Sequence, residues 1–139
     1  MKLLFLDIDG VITSDEAILD MTRVYPFSDA CVAVLNKVLE QHKLRIILTS
    51  SWRTVFDAEK QNQVFKENGV NQVPAGQTKE IAYSDRGKEI AEYLAKRKVD
   101  CFVILDDMYM DGFENNFVHI DPKTGLTEAY LERINEILK

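Results

Sequence analysis

The sequence begins with an apolar run that stops abruptly at two acids: Lys2-Leu3-Leu4-Phe5-Leu6-Asp7-Ile8-Asp9-Gly10-Val11. A short continuous apolar run that ends in polar residues is typical of a strand buried on both faces. The same residues briefly resemble the start of a signal peptide, but Asp7 and Asp9 end the run too early for its apolar region. We therefore predict a first strand over Lys2–Leu6.

Further apolar runs alternate with helical patterns along the rest of the chain. Strands are predicted at Leu44–Leu48, Val70–Val73, Cys101–Leu105 and Asn116–Ile120, and helices at about 29–41, 54–66 and 86–98 and from Thr127 onward. Strands that are apolar on both faces and separated by amphipathic helices imply a parallel sheet covered on both sides. The expected class is α/β, with a five-stranded Rossmann-like sheet in a single domain over residues 1–139.

Composition and charge narrow the classes of function. The chain has 139 residues, 46% hydrophobic and 29% charged, with a net charge of −6. No stretch of 18 apolar residues occurs, so no membrane span or membrane partner is expected. The acidic balance argues against broad nucleic-acid binding, which usually needs a basic surface. Cys31 and Cys101 lack metal-ligand spacing and are interpreted as free thiols of a protein in the reducing cytoplasm.

Acidic residues follow the first strand, where a parallel sheet places its ligand site. Asp7 and Asp9 are two residues apart, so they leave an extended strand on the same side and repel each other unless a positive group lies nearby. Gly10 then allows the backbone to turn sharply. An acidic turn would also explain this segment if it stood alone.

Two other predicted strands also end in polar residues. Thr49 and Ser50 follow the second strand, where their hydroxyls can bind a phosphate oxygen or simply cap the next helix. Asp106 and Asp107 follow the fourth strand, with Asp111 four residues later. Adjacent acids at the end of a buried strand are costly without a cation, and carboxylate oxygens suit Mg²⁺. An ordinary acidic loop is the alternative.

A basic group is needed to balance these acids. Arg86 and Lys88 lie in the first turn of a predicted helix, where cations oppose the helix dipole. Their position there suggests a role other than helix stability, although either side chain alone could simply be solvated. The sequence does not distinguish which of the two faces the acids.

The ordered set resembles the four motifs of the haloacid dehalogenase (HAD) superfamily. Leu4-Phe5-Leu6-Asp7-Ile8-Asp9-Gly10-Val11 resembles motif I, Thr49 motif II, Arg86 or Lys88 motif III, and Asp106-Asp107 motif IV. The segments 47–53, 86–90, 103–107 and 125–127 are similar to a narrower group, the small HAD domains found alone or fused in RNA-repair proteins. The resemblance runs from residue 3 to about residue 121.

The resemblance implies a Mg²⁺-dependent phosphatase in which Asp7 attacks phosphorus and Asp9 acts as general acid and base. Mg²⁺ would be bound by the Asp7 side chain, the Asp9 backbone carbonyl and Asp106 or Asp107. Thr49, Ser50 and the basic residue, Arg86 or Lys88, would bind the phosphate oxygens.

Two residues that follow motif II, Trp52 and Arg53, each allow two interpretations. Arg53 either contacts substrate or is a solvated arginine at the start of a helix, and Trp52 more typically packs in the core than stacks on a base. His119 is interpreted as a structural histidine.

Enzymes of this superfamily usually gain specificity from a cap domain, and no substantial cap is expected here. Only Thr13–Phe27 separates the first strand from the first helix, enough for a hairpin or flap. An open site suits a large substrate such as a phosphorylated nucleic-acid end, unless an oligomeric partner closes it. A small phosphomonoester is the alternative, and the acidic charge favours it.

Two other classes of protein are weighed against this interpretation. A response-regulator receiver domain shares the sheet and the residue types, but its phosphoacceptor belongs on the third strand and its lysine on the last. A catalytically idle HAD-like domain that binds a metal or a partner is disfavoured because Asp7, Asp9, Thr49, Asp106 and Asp107 are all present. A nucleotide-binding fold of another kind is unsupported, since neither Gly-x-Gly-x-x-Gly nor a Walker motif occurs.

Overall fold

The computed structural model describes residues 1–13, 25–81 and 85–139. Its five strands are β1 (Lys2–Leu6), β2 (Arg45–Leu48), β3 (Gly76–Gln77), β4 (Cys101–Asp106) and β5 (Phe117–His119). Its helices are α1 (Asp29–His42), α2 (Trp52–Val55), α3 (Ala58–Glu67), α4 (Arg86–Ala95) and α5 (Leu131–Ile137), with a 3-10 turn at Glu128–Tyr130. Within the described residues, no helix is long and apolar enough to cross a membrane.

The strands form one parallel sheet in the order β3-β2-β1-β4-β5, which confirms the predicted α/β class and strand number. β1 lies at the centre and pairs with β2 and β4, so that Leu6 is opposite Leu48 on one side and Leu105 on the other. The residues that follow these positions, Thr49, Asp7 and Asp106, therefore end three neighbouring strands at one edge of the sheet.

The two faces of the sheet bury different residues of the same strands. Leu4 and Leu6 belong to the larger apolar cluster, which includes buried residues of α1, α3 and α5. Leu3 and Phe5 belong to the smaller cluster, with Ile90 of α4. Because side chains alternate along a strand, Asp7 continues the row of Leu3 and Phe5 and points toward the face that α4 covers.

Two predicted element boundaries are wrong for local reasons. The helix predicted over 54–66 is interrupted at Phe56, and α3 starts afresh because the Asp57 carboxylate accepts a hydrogen bond from the Lys60 N–H (2.8 Å). The third strand is not Val70–Val73. The N–H of Val70 donates to the Phe65 carbonyl (3.1 Å) at the end of α3, so this segment closes the helix and Gly76–Gln77 pairs with β2 instead.

Other boundaries shift by a few residues. α4 ends at Ala95 rather than Lys98, and the last helix begins with the 3-10 turn. The flap expected within Thr13–Phe27 lies largely outside the described residues. Cys31 is buried and Cys101 half-buried, and neither forms a disulfide.

Gly125 allows the segment after β5 to pack closely against the loop after β1. Its φ is +66°, and an added Cβ would lie 2.7 Å from Cys31 Sγ and 2.8 Å from the Val11 carbonyl oxygen. The next residue, Leu126, donates its N–H to the same Val11 carbonyl (2.6 Å). A side chain at residue 125 would push this segment away from the loop that carries Asp9 and Gly10.

We expect Gly125→Ala to lower the free energy of unfolding by about 3 kcal/mol, because it combines left-handed backbone strain with overpacking. Gly69→Ala is the matched control. Gly69 has the same kind of backbone (φ +80°) with no atom within 4 Å of an added Cβ, so only the strain of about 1–2 kcal/mol is expected. Urea unfolding of both variants measures the difference, and equal losses would contradict the steric argument.

Candidate active site

Three carboxylates meet at the end of the central strands. Asp7, Asp106 and Asp107 each offer an oxygen, and these oxygens all lie within 4.8 Å of one another. Asp7 and Asp106 are almost fully buried, at 3% and 0% exposure. The acid cluster, as we call these three residues, thus crowds like charges at a largely buried site, where water screens them weakly.

Arg86, the first residue of α4, supplies positive charge to the acid cluster. Its Nη1 lies 2.8 Å from Asp106 Oδ2 and 3.2 Å from Asp7 Oδ2. Burial alone would lower the pKa of Arg86, but the carboxylates of Asp7 and Asp106 outweigh it and raise that pKa. Lys88 points elsewhere: its side chain is 76% exposed and lies 4.0 Å from Asp85. Of the two basic residues that the sequence offered, the structure brings Arg86 to the acids and leaves Lys88 outside.

One guanidinium does not neutralise three carboxylates. Burial and the neighbouring Asp106 raise the pKa of Asp7 to about 8, although Arg86 opposes the shift. Burial likewise raises the pKa of Asp106 above its ordinary value, against the opposing effect of Arg86. The acid cluster therefore favours either a bound proton or a bound cation.

The donor set fits a hard divalent cation. Carboxylate oxygens are the ligands that Mg²⁺ prefers, and three ionised acids with one arginine leave two negative charges. Gly10 permits this crowding, because an added Cβ would lie 2.5 Å from Asp107 Oδ2. Asp7, Asp106 and Asp107 are the residues that could hold the ion. Asp111 is exposed and is not part of this cluster.

Asp9 lies apart from the acid cluster. The resemblance assigns its backbone carbonyl to the metal and its carboxylate to proton transfer. Asp9 lies in the turn that follows β1, which ends at Leu6, and its side chain is exposed. Trp52 Nε1 donates a hydrogen bond to Asp9 Oδ2 (3.2 Å). Trp52 also packs against Phe27 and Phe56, so its ring is anchored in the core while its N–H points at the acid. The core role of Trp52 was predicted, but its contact with Asp9 was not.

Thr49 and Ser50 follow β2, and their side chains are buried but differ in their hydrogen bonds. Thr49 Oγ1 has no hydrogen-bond partner among the residues that the structure describes. Ser50 Oγ accepts a hydrogen bond from the Trp52 N–H (3.2 Å) at the start of α2, although the N-cap residue of that helix is Ser51. A buried hydroxyl without a partner is costly, so the Thr49 hydroxyl is available to a ligand.

Arg53 is neither solvated nor aimed at the acid cluster. Its guanidinium is 5% exposed and pairs with Glu89 of α4 (Nη2 to Oε2, 2.6 Å), which is 1% exposed. It also donates hydrogen bonds to the backbone carbonyls of Thr49 and Ser50. Glu89 in turn accepts a hydrogen bond from the Ile81 N–H (2.9 Å). The pair holds the end of β2 against the helix that carries Arg86, a function that sequence spacing alone could not reveal.

The comparison with family models places the chain in a known group. The model described as "HAD domain in Swiss Army Knife RNA repair proteins" matches residues 3–131. The chain belongs to this family. Membership in this HAD family associates it with phosphatase-type chemistry and with RNA repair. Searches of the curated proteins and of the solved structures gave no match.

We expect Glu89→Gln to lower the free energy of unfolding by about 3–5 kcal/mol, because it leaves the buried Arg53 charge without its counterion. Glu136→Gln is the control: it breaks an ion pair with Arg133 (3.8 Å) whose side chains are 45% and 61% exposed, and should cost less than about 1 kcal/mol. Urea unfolding measures both variants. Similar losses would show that the buried pair does not secure this junction.

The raised pKa of Asp7 predicts how stability depends on pH when EDTA removes metal ions. Between about pH 4 and pH 8 the folded protein retains a proton at Asp7 that the unfolded chain has released, so stability falls as pH rises through this window. Asp7→Asn removes that proton and should flatten the dependence. Urea unfolding in EDTA at pH 5 and pH 8 tests this, and equal slopes in the two proteins would contradict it.

Proposed function

We propose that this HAD domain is a Mg²⁺-dependent phosphomonoester hydrolase that acts through an aspartyl-phosphate on Asp7, with phosphorylated nucleic-acid ends as its substrates. The acid cluster is the observation that best supports this proposal. It lies beside the Arg86 guanidinium, and the neighbouring strand is followed by the unpartnered Thr49 hydroxyl. The proposed nucleophile, the cation site and the ligands for phosphate oxygens are therefore close together, at the ends of three adjacent strands and the start of α4.

Asp7 must be ionised to attack phosphorus. Its pKa of about 8 without a metal means that a cation beside Asp106 and Asp107 would favour the reactive carboxylate at neutral pH. When bound there, Mg²⁺ would also neutralise negative charge on the phosphoryl oxygens. Arg86 and Thr49 are suited to bind the remaining oxygens. Ser50 and Lys88 are less suited, because the Ser50 hydroxyl already accepts the Trp52 N–H and Lys88 faces solvent.

Asp9 is suited to the proton transfers. Its carboxyl is exposed and held by Trp52, so it can protonate the leaving oxygen and then accept a proton from the water that hydrolyses the aspartyl-phosphate. Because Asp9 lies outside the acid cluster, it carries a proton without competing for the cation. This separation divides the acids into nucleophile and proton carrier.

The substrate class is inferred from the family and from the shape of the site. The family links the domain to RNA repair, which supports phosphorylated ends of nucleic acid. A small phosphomonoester is the second candidate, since a net charge of −6 disfavours a long polyanion. The third possibility is that the domain is an idle HAD-like domain, which binds only a metal or a partner and has no substrate.

The two thiols support a reducing compartment such as the cytoplasm.

The proposal is tested with p-nitrophenyl phosphate and with 3′- and 5′-phosphorylated oligonucleotides. We expect Mg²⁺-dependent release of phosphate that EDTA abolishes and that falls below detection in Asp7→Asn. Asp9→Asn should lose roughly 10²- to 10⁴-fold in kcat, the usual contribution of a general acid.

Glu132→Gln, a neutralised acid exposed on α5, is the matched control and should retain wild-type turnover. Turnover that survives in Asp7→Asn would overturn the nucleophile assignment. Turnover of p-nitrophenyl phosphate without any turnover of oligonucleotides would favour the small-molecule alternative. Bound Mg²⁺ without any turnover would favour the idle domain.

A further inference from the structure

A cleft of about 630 Å³ adjoins the acid cluster. It lies between the first turns of α4 and the loop over residues 108–113 that follows β4, and its lining includes Arg86, Lys88, Met108, Tyr109 and Met110. Arg86 is common to the cleft and the acid cluster, since its Nη1 is 3.2 Å from Asp7 Oδ2. A phosphate bound at Asp7 would therefore have the remainder of its molecule beside this cleft.

Tyr109 stacks on a neighbouring side chain while the rest of its ring remains exposed. The ring stacks on His119 with centroids 3.9 Å apart and planes 11° apart. His119 is fixed in turn by a hydrogen-bond contact between its Nε2 and the Asp107 carbonyl oxygen (2.9 Å). Tyr109 is nevertheless 80% exposed, so the face away from His119 is in solvent. Folding alone does not explain a large ring fixed in this way and left uncovered.

We infer that Tyr109 is a stacking platform for the terminal base of a single-stranded, phosphorylated nucleic-acid end. This inference rests on the proposed phosphatase function and specifies the substrate of the same site. Unpaired bases stack on aromatic side chains irrespective of sequence. The Tyr109 ring offers such a surface, and it is linked to the acid cluster through His119, whose Nε2 lies 2.9 Å from the Asp107 carbonyl oxygen.

Lys88 supplies the matching charge. Its side chain is 76% exposed. Among the described residues it makes one ion pair, with Asp85, whose side chain is 53% exposed and whose Oδ2 lies 4.0 Å from the ammonium. Such a contact is weak, so the ammonium is available to the phosphodiester that follows the terminal nucleotide. The ring and the ammonium line one cleft with Arg86, and Asp85 and Asp111 line it as well, so its basic residues are matched by two acids.

The acidic net charge argues against a long bound backbone and favours a short footprint. With a net charge of −6, the chain lacks the basic surface that follows a long backbone. One aromatic platform and one exposed lysine match a short end. A base at a duplex end is held by its pairing partner and its neighbour, whereas an unpaired base can turn onto the Tyr109 ring, and this favours an unpaired end.

Binding to the Asp7→Asn protein tests the inference without requiring turnover. The probe is a dinucleotide with a terminal phosphate and 2-aminopurine as the terminal base, prepared in 3′- and 5′-phosphorylated forms. Stacking quenches 2-aminopurine fluorescence. We expect quenching on binding, and a rise in Kd of roughly 5- to 100-fold with loss of quenching when Tyr109→Ala is added. Tyr109→Phe retains the ring and should retain both signals.

Val55→Ala is the control, because Val55 is an apolar side chain of similar exposure (72%) outside the cleft, and it should leave Kd and quenching unchanged. Unchanged Kd and quenching in Tyr109→Ala would overturn the inference. So would an abasic probe that binds as tightly as the 2-aminopurine probe. Quenching that depends on Tyr109 in a protein that hydrolyses nothing would support the platform and sink the phosphatase. Turnover of p-nitrophenyl phosphate without quenching would do the reverse.

Discussion

The repulsion among Asp7, Asp106 and Asp107 is the constraint on which the rest of the site depends. These carboxylates are held within 4.8 Å of one another, and burial of Asp7 and Asp106 limits their screening by water. Burial and the neighbouring Asp106 raise the pKa of Asp7 to about 8, although Arg86 offsets part of the charge. A protein that needed only stability would not keep this arrangement. A protein that must bind a cation and present a carboxylate to an anionic substrate has a use for it.

The surrounding structure keeps the cluster in place by contacts that themselves do no chemistry. Arg53 of α2 and Glu89 of α4 form a buried ion pair, and Arg53 also donates to the backbone carbonyl of Thr49 just after β2. Gly10 leaves space for the Asp107 carboxylate, which any larger residue would displace. The positions of hydroxyl, guanidinium and acids are therefore linked, and a change at one junction is expected to move several of them together.

The net charge of −6 and the association with RNA repair are compatible if recognition is local. The acids that make the chain negative include those that would bind the cation, and a divalent ion there would offset them at the proposed phosphate site. The adjoining cleft presents the exposed Tyr109 ring and the Lys88 ammonium, beside Asp85 and Asp111. Such a surface is suited to the end of a chain rather than to its length.

The sequence by itself determined the α/β class, the parallel sheet and the edge at which Asp7, Thr49 and Asp106 end their strands, because these follow from local apolar periods and strand ends. The two wrong element boundaries also have local causes. The Asp57 cap and the hydrogen bond at the end of α3 place these segments differently from what their apolar pattern favoured. Only the tertiary structure decided which base meets the acids, that Asp9 bonds to Trp52, and that Arg53 is buried against Glu89. These are contacts between residues 20 to 80 positions apart, and their geometry is set by how α2 and α4 pack on the sheet, which no local pattern encodes.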